Sequence, residues 1–254
     1  MAGSAGILPA CFKLTSLRGT SGQDARASRR HSLEIAILIY DRFTALDAVG
    51  PYEVLRSVPG ARVSFAAKEK GPVRTDAGSL AIVADFEIEQ ITAPDVLVIP
   101  GGPGQAALMD DHRVLDWVRE IDSKTRWTTS VCTGSLVLAA AGLLKGLRAT
   151  SHWLALDILR KYGAEPTSER VVTQGKIITA AGVSAGIDMA LTLVALECGE
   201  AVAQSIQLGI EYDPQPPFNA GSPEKAPPAI VEALRNRSRF LVQSLEGKSK
   251  AEST

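Results

Sequence analysis

The stretch WTTSVCTGSLVLAAAGLLKG, Trp127 to Gly146, decides the fold. Its first five residues are aromatic, β-branched or small and have the length and texture of a buried strand. From Leu136 the apolar positions Leu136, Val137, Ala140, Leu143 and Leu144 take up helical spacing, and Gly146 is the expected stop. No loop separates the two patterns. Val131-Cys132-Thr133-Gly134 must therefore make a sharp strand-to-helix turn, an elbow that pushes the Cys132 side chain outward and demands small neighbours such as Thr133, Gly134 and Ser135.

Working outward, LEIAILIY (Leu33–Tyr40) is a continuous apolar run of strand length, and DRFTALDAVGPYEVL turns helical after Asp47. RVSFAAK (Arg62–Lys68) and VLVIPGG (Val96–Gly102) are further strands, the second ending in glycines that let backbone approach a ligand. HRVLDWVREIDSK and HWLALDILRKYG read as amphipathic helices, and RVVTQGKIITAAG as a hairpin whose turn holds Gln174 and Gly175. VSAGIDMALTLVALEC and PAIVEALRNRSRFLVQSL add helices, separated by AVAQSIQLGIEY and a proline-rich segment. Strands that are apolar throughout and alternate with helices predict an α/β fold: a mostly parallel sheet covered by helices on both faces, a three-layer sandwich. Ligands in such sheets sit at the carboxyl ends of the strands, here where PGG and SVC end.

With 254 residues, 45% hydrophobic, and no internal repeat or linker, one large domain is expected over 33–246. A basic, serine-containing, acid-poor extension at 1–32 precedes it, with the composition of a disordered tail, and a polar tail at 247–254 follows. Lys and Arg number 27 against 28 acidic residues with no basic run in the body, which argues against nucleic acid as a partner. No apolar stretch has membrane-spanning length, so a soluble protein is expected. Cys11, Cys132 and Cys198 are too few and scattered for a disulfide framework or a metal site, which fits a reducing, cytoplasmic setting. The basic N-terminus also fits a transit peptide, and hence an organelle such as the mitochondrion.

At the elbow, Cys132 lies beside a helix N-terminus, whose unsatisfied N–H groups lower a thiol pKa; a thiolate at neutral pH is expected. The N–H groups of Thr133 and Gly102 are candidates to hold developing negative charge. The competing reading of Cys132 is a small buried hydrophobe. Asp47, Glu53 and His152 are candidate acid/base partners. Asp47 is best placed, at the start of the first helix, where a desolvated carboxyl can stay protonated and donate; alternatively it is an N-cap. His152 opens a helix twenty positions after Cys132 and is either a general base in a Cys-His pair or a packing partner of Trp153. Cys198 ends an apolar helix, where core burial accounts for it.

The segment SVCTGSLVLAAAGLLKGLRATSHW resembles the ThiJ/PfpI superfamily, and LDAVGPYEVL, IPGGPG and QLGIEYDPQPPFNAGSPEKAP resemble its isonitrile hydratase branch, with similarity from about Leu33 to Gln243. The resemblance implies a flavodoxin-like fold related to class I glutamine amidotransferases. It also implies Cys132 as nucleophile, Asp47 as acid/base group, Thr133 as a contacting neighbour and Gly102 on the oxyanion side. His152 is an accessory candidate only. A homodimer acting on a small molecule without metal or organic cofactor is implied likewise. The expected activity is cysteine-dependent hydration of an isonitrile to an N-substituted formamide through a thioimidate. Glyoxalase-like or deglycase-like chemistry on small carbonyl compounds, and a non-enzymatic redox sensor using Cys132, are the alternatives. An apolar pocket lined from Val183 and the first helix favours the isonitrile; Arg or Lys close to the sulfur favours oxygenated anions. With only 247–254 after the last helix, no DNA-binding module is expected.

Overall fold

The computed structural model describes residues 32–238. Most of the basic extension, Cys11, the end of the last predicted helix and the polar tail lie outside the described residues. The elements in order are β1 (Glu34–Leu38), α1 (Ala45–Leu55), β2 (Arg62–Ala67), β3 (Gly71–Arg74), β4 (Ala81–Ala84), β5 (Phe86–Glu87) and β6 (Val96–Ile99). There follow α2 (Gln105–Leu108), α3 (His112–Lys124), β7 (Trp127–Val131), α4 (Gly134–Ala140), β8 (Arg148–Ala149) and α5 (Leu156–Lys161). The chain continues through β9 (Glu165–Pro166), β10 (Val171–Gln174), β11 (Ile177–Ala180), α6 (Ala185–Cys198), α7 (Glu200–Gly209) and α8 (Pro228–Arg237).

Seven strands form one sheet in the order β10-β11-β7-β6-β1-β2-β5, parallel throughout except for the β10–β11 hairpin. The apolar runs explain it: β6 is buried along its whole length, as are the last four residues of β1 and of β7, so neither sheet face is open to water at the centre. The connection from β1 through α1 to β2 moves one way along the sheet, whereas those from β6 to β7 and from β7 to β11 move the other way. Right-handed crossovers then put α1 on one face and α3–α5 on the other. Contacts agree: α1 packs on α6 and α6 on α7, while α4 touches α2, α3 and α5. The reversal falls between β1 and β6, which makes the crevice beyond their carboxyl ends the switch point of the sheet.

Several local expectations are corrected. Gln174 pairs with Ile177 in the ladder, so the hairpin turn is Gly175–Lys176 rather than Gln174–Gly175. The helix after the elbow ends at Ala140, because Gly142 already takes a left-handed φ of 82°. The helix opened by His152 begins as a 3-10 turn, Trp153–Ala155, before α5. The short pairs β3–β4 and β8–β9 and the edge strand β5 were not anticipated; each has four residues or fewer per strand, too few to show alternation.

The elbow is tight because α4 starts directly against the end of β6. A Cβ on Gly134 would stand 2.1 Å from the Ile99 carbonyl oxygen and 2.8 Å from that of Pro100. Backbone atoms of a central strand cannot retreat. Gly134→Ala is therefore expected to cost about 3 kcal/mol of stability, at the upper end of overpacking effects, measured by urea unfolding; an unchanged midpoint would mean that the elbow is looser than described.

Candidate active site

Three chain segments meet at the switch point: the β1–α1 connection with Asp47, the Pro100-Gly101-Gly102 turn after β6, and the elbow after β7. Cys132 has a φ of 57°, a left-handed conformation that costs a non-glycine residue about 1–2 kcal/mol. Its N–H donates to the Ala180 and Ala181 carbonyls at 3.1 and 2.9 Å, and its carbonyl accepts the Ser135 and Ser151 hydroxyls at 3.1 and 3.0 Å. The residue is therefore pinned from both sides, with 3% of its surface exposed.

Asp47 is fully buried in the first turn of α1. It is not the N-cap: Thr44 holds that position, and the Thr44 hydroxyl donates instead to Asp76 Oδ2 at 2.9 Å. The Gly101 N–H donates to Asp47 Oδ2 at 2.9 Å. Oδ1 has no nitrogen or oxygen partner among the described residues, although it is buried. The Cys132 thiol is close enough to donate to this carboxylate. A Cβ on Gly101 would lie 2.5 Å from the Thr133 backbone nitrogen and 2.9 Å from Asp47 Oδ2, so only glycine lets the carboxylate, the turn and the elbow meet.

Burial pushes the Asp47 carboxyl up to about 7, against the lowering effect of the Gly101 and Cys132 hydrogen bonds. Burial, then the Asp47 charge, pushes the Cys132 thiol well above its ordinary range; the N–H groups of Val183 and Thr133 pull it down, but by less. This corrects the expectation of a standing thiolate. A helix N-terminus is outweighed where the sulfur is taken out of water next to a second acid, and the resting pair is a thiol against a carboxyl group that titrates near neutrality.

Thr133, buried at the N-cap of α4, accepts the Gly102 N–H on Oγ1 at 3.0 Å. The Gly102 N–H is thus already engaged rather than turned toward a substrate, a second correction. His152 forms no hydrogen bond with Cys132. Its Nδ1 accepts the Leu154 N–H at 3.3 Å, its ring lies beside that of Trp153, burial lowers its pKa, and its edge packs under Gly182 in the loop facing the elbow. Glu53 pairs with Arg56 on the surface. Cys198 is exposed, so core burial does not account for it.

Three participants were missed. Gly101 was passed over for its neighbour; the adjacent glycines in PGG were the available signal. Tyr40 is buried, its hydroxyl donating to the Pro100 carbonyl at 2.7 Å; burial, and then Asp47 and Cys132, hold its phenol far above the usual range. Val183, with φ 25°, presents its N–H to the sulfur, and a sequence carries no sign of that. Among the described residues no cluster of three or more His, Cys, Asp or Glu is arranged to hold a metal. A cavity of about 720 Å³ opens next to the site, lined among others by Tyr40, Arg42, Lys68, Lys70, Arg74 and Leu108, but by neither Cys132 nor Asp47.

A family model described as "DJ-1/PfpI family" matches residues 33–196, more than half of the chain. The chain is 45% identical over 206 residues to the isonitrile hydratase of Pseudomonas putida, spanning 81% of this chain and 90% of that protein. It superposes on the crystal structure of a ThiJ/PfpI family protein from Pseudomonas syringae with a TM-score of 0.79 and 42% identity, covering 87% of this chain and 90% of the other. A deglycase, PfpI of Pyrococcus furiosus, is 25% identical over 149 residues, 58% of this chain and 89% of that protein.

The Asp47 titration has a thermodynamic signature. An unfolded Asp loses its proton near 3.8, the buried one near 7, so folding takes up a proton in between. Stability from Asp47 is thus fully present below pH 4 and is lost as the pH rises through 7. Relative to Asp47→Asn, the wild-type chain is expected to lose about 4 kcal/mol of unfolding free energy between pH 4 and pH 8. Parallel stability–pH curves for the two proteins would show that Asp47 titrates as if exposed.

Proposed function

The chain belongs to the DJ-1/PfpI family, and from that premise we propose that it hydrates an isonitrile to an N-substituted formamide, with Cys132 as nucleophile and Asp47 as proton carrier. The substrate class comes from the Pseudomonas putida relative, whose similarity runs over most of both chains. The observation that carries the chemistry is the buried Asp47–Cys132 pair. An isonitrile is neutral and offers a terminal carbon that must gain one bond to sulfur and one to hydrogen. A thiol against a carboxyl group of near-neutral pKa supplies both.

In the first half-reaction Asp47 takes the thiol proton as the sulfur attacks, and passes it to the same carbon, giving R–N=CH–S–Cys132. In the second, water adds to that carbon while Asp47 takes one of its protons and passes it to the nitrogen; Asp47 then moves the carbinol hydroxyl proton to the sulfur, which leaves as thiol as the C=O forms, releasing R–NH–CHO. One water is consumed and both groups return to their starting state. Asp47 alternates between base and acid, for which a pKa near the working pH is the favourable value. Thr133 Oγ1 accepts from Gly102 and so keeps its own proton for a contact with the reacting group. The Val183 and Thr133 N–H groups favour the sulfur as an anion at the moment it forms or leaves.

Among the described residues the main influences on the Cys132 thiol are burial, Asp47 and the Val183 and Thr133 N–H groups, whereas Arg42, Lys68, Lys70 and Arg74 line the neighbouring cavity together with Asp41, Glu69 and Asp111. A sulfur governed by a carboxyl group and backbone N–H groups suits a neutral substrate better than an oxygenated anion. The redox-sensor alternative is favoured by an exposed thiol of lowered pKa, whereas Cys132 is 3% exposed and burial raises its pKa. A homodimer is proposed as well: α8 buries none of its side chains, and Leu208, Phe218, Ile230 and Leu234 leave apolar surface exposed for a second copy to cover.

Incubation with a simple aliphatic isonitrile is expected to yield the N-formamide at a rate abolished by Cys132→Ala. Asp47→Asn is expected to lower kcat by about 10²–10⁴-fold, the usual range for losing an acid/base group. Formation of product by Cys132→Ala, or near-normal turnover by Asp47→Asn, would overturn the respective role.

A further inference from the structure

The segment containing Gly209-Ile210-Glu211-Tyr212 stands out in the sequence, yet the chemistry above makes no use of it. Tyr212 follows the C-terminus of α7, where Glu211 takes a left-handed φ of 52° and the Tyr212 N–H donates to the Gln207 carbonyl at 3.0 Å. So placed, the Tyr212 hydroxyl donates to Asp188 Oδ2 at 3.0 Å, in the first turn of α6. The same oxygen receives Arg170 Nε at 2.9 Å and Arg170 Nη2 at 2.6 Å.

Arg170 spans the loop between β11 and α6. Its carbonyl accepts the Ala181 N–H at 2.9 Å, and its guanidinium donates to the Ser184 hydroxyl at 3.3 Å, so both ends of Ala181–Ser184 are tied to one residue. Between those ties sits Val183, with a φ of 25° outside the regions a β-branched residue favours. Such a conformation persists only where the surroundings over-determine it. Inside the loop the Ala185 N–H donates to the Gly182 carbonyl at 3.0 Å and the Gly186 N–H to the Val183 carbonyl at 3.3 Å; the Ala181 carbonyl accepts the Cys132 N–H at 2.9 Å and the Ser184 carbonyl the Ile187 N–H at 3.3 Å, and Arg170 and the His152 edge under Gly182 add restraint from outside. The far side of this loop carries the Val183 N–H that meets the Cys132 sulfur.

We propose that Arg170, Asp188 and Tyr212 form a positioning clasp that fixes the Ala181–Ser184 loop and thereby aims the Val183 N–H at the Cys132 sulfur. The inference rests on Cys132 being the nucleophile and deepens that reading. None of the three residues touches the reacting atoms. Releasing the clasp lets Val183 relax toward ordinary backbone values, which turns its N–H off the sulfur and leaves the anion on Cys132 with one donor fewer. Asp47 and Tyr40, the other titratable groups acting around the thiol, lie on the β1–α1 side and are untouched by the change.

The test is the pH profile of Cys132 alkylation by iodoacetamide in the full chain, followed at the Cys132 peptide by mass spectrometry so that the other cysteines do not intrude. It needs no isonitrile, so its result is independent of whether the proposed substrate is right. Arg170→Ala is expected to move the profile to higher pH and slow alkylation at pH 7 about tenfold, Tyr212→Phe about threefold, and Arg170→Lys to fall between wild type and Arg170→Ala. Arg113→Ala, which breaks an exposed bidentate pair with Glu89, is the control and should leave the profile in place. With the isonitrile, Tyr212→Phe should lower kcat and leave KM unchanged. If Arg170→Ala melts earlier but its Cys132 profile overlays that of wild type, the clasp is merely structural and the proposal fails; if that variant does not fold, the Tyr212→Phe profile decides in the same way.

Discussion

The backbone of Cys132 is held by two carbonyl acceptors and two hydroxyl donors in a left-handed conformation that a cysteine disfavours, and the rest of the site depends on that restraint. Ala180 and Ala181 come from the end of β11, Ser135 from α4 and Ser151 from beyond β8, so three separate parts of the fold hold one residue. The strain is small beside the packing that enforces it, because the elbow is wedged between the central strand β6 and α4 with Gly134 against the Ile99 carbonyl. A rigid wedge makes the sulfur's direction a property of the whole sheet rather than of a side-chain rotamer.

Burial then governs the electrostatics. Cys132 and Asp47 are both removed from water; the Asp47 charge disfavours ionisation of the thiol, and burial outweighs the hydrogen bond by which the thiol favours the carboxylate, so protons stay on the pair to a higher pH than on either group in solvent. What a helix N-terminus contributes to the thiol is real but second to desolvation. The consequence for chemistry is that nucleophile activation and proton delivery are one event: the proton that leaves sulfur is already beside the carboxylate that will hand it on. A free thiolate would need its proton supplied from elsewhere.

The surroundings of the thiol differ from those of the neighbouring cavity. Charges of both signs, Arg42, Lys68, Lys70 and Arg74 with Asp41, Glu69 and Asp111, line the cavity beyond β1 and β2, while the thiol sees an acid, a phenol and backbone N–H groups. On the opposite side of the elbow, the β11–α6 loop faces the sulfur with a strained Val183, and its outer surface is tied to Arg170, Asp188 and Tyr212. The acid/base partner and the hydrogen-bond donors thus approach the sulfur from different elements on the two sides of β7.

Much of this was legible without coordinates. The apolar runs Leu33–Tyr40, Val96–Gly102 and Trp127–Val131, the helices between them and the absence of any loop around Cys132 suffice for a parallel α/β sheet with an elbow, because hydrophobic period and chain length are local properties. The same properties place Asp47, Gly102 and Cys132 at one end of the sheet. Sequence could not show that Asp47 leaves the N-cap position to Thr44, that the Gly101 N–H holds its carboxylate, or that the Gly102 N–H goes to Thr133. Each is a choice among neighbours made by distances of a few tenths of an ångström across segments far apart in the chain. The sign of the thiol's pKa shift was misjudged for the same reason: a helix N-terminus can be read from a motif, whereas desolvation sums over every atom packed around the sulfur. The sequence by itself determined which elements form and which end of the sheet carries the chemistry; only the tertiary structure decided protonation and hydrogen-bond partners, because burial and close approach exist only once distant segments have packed.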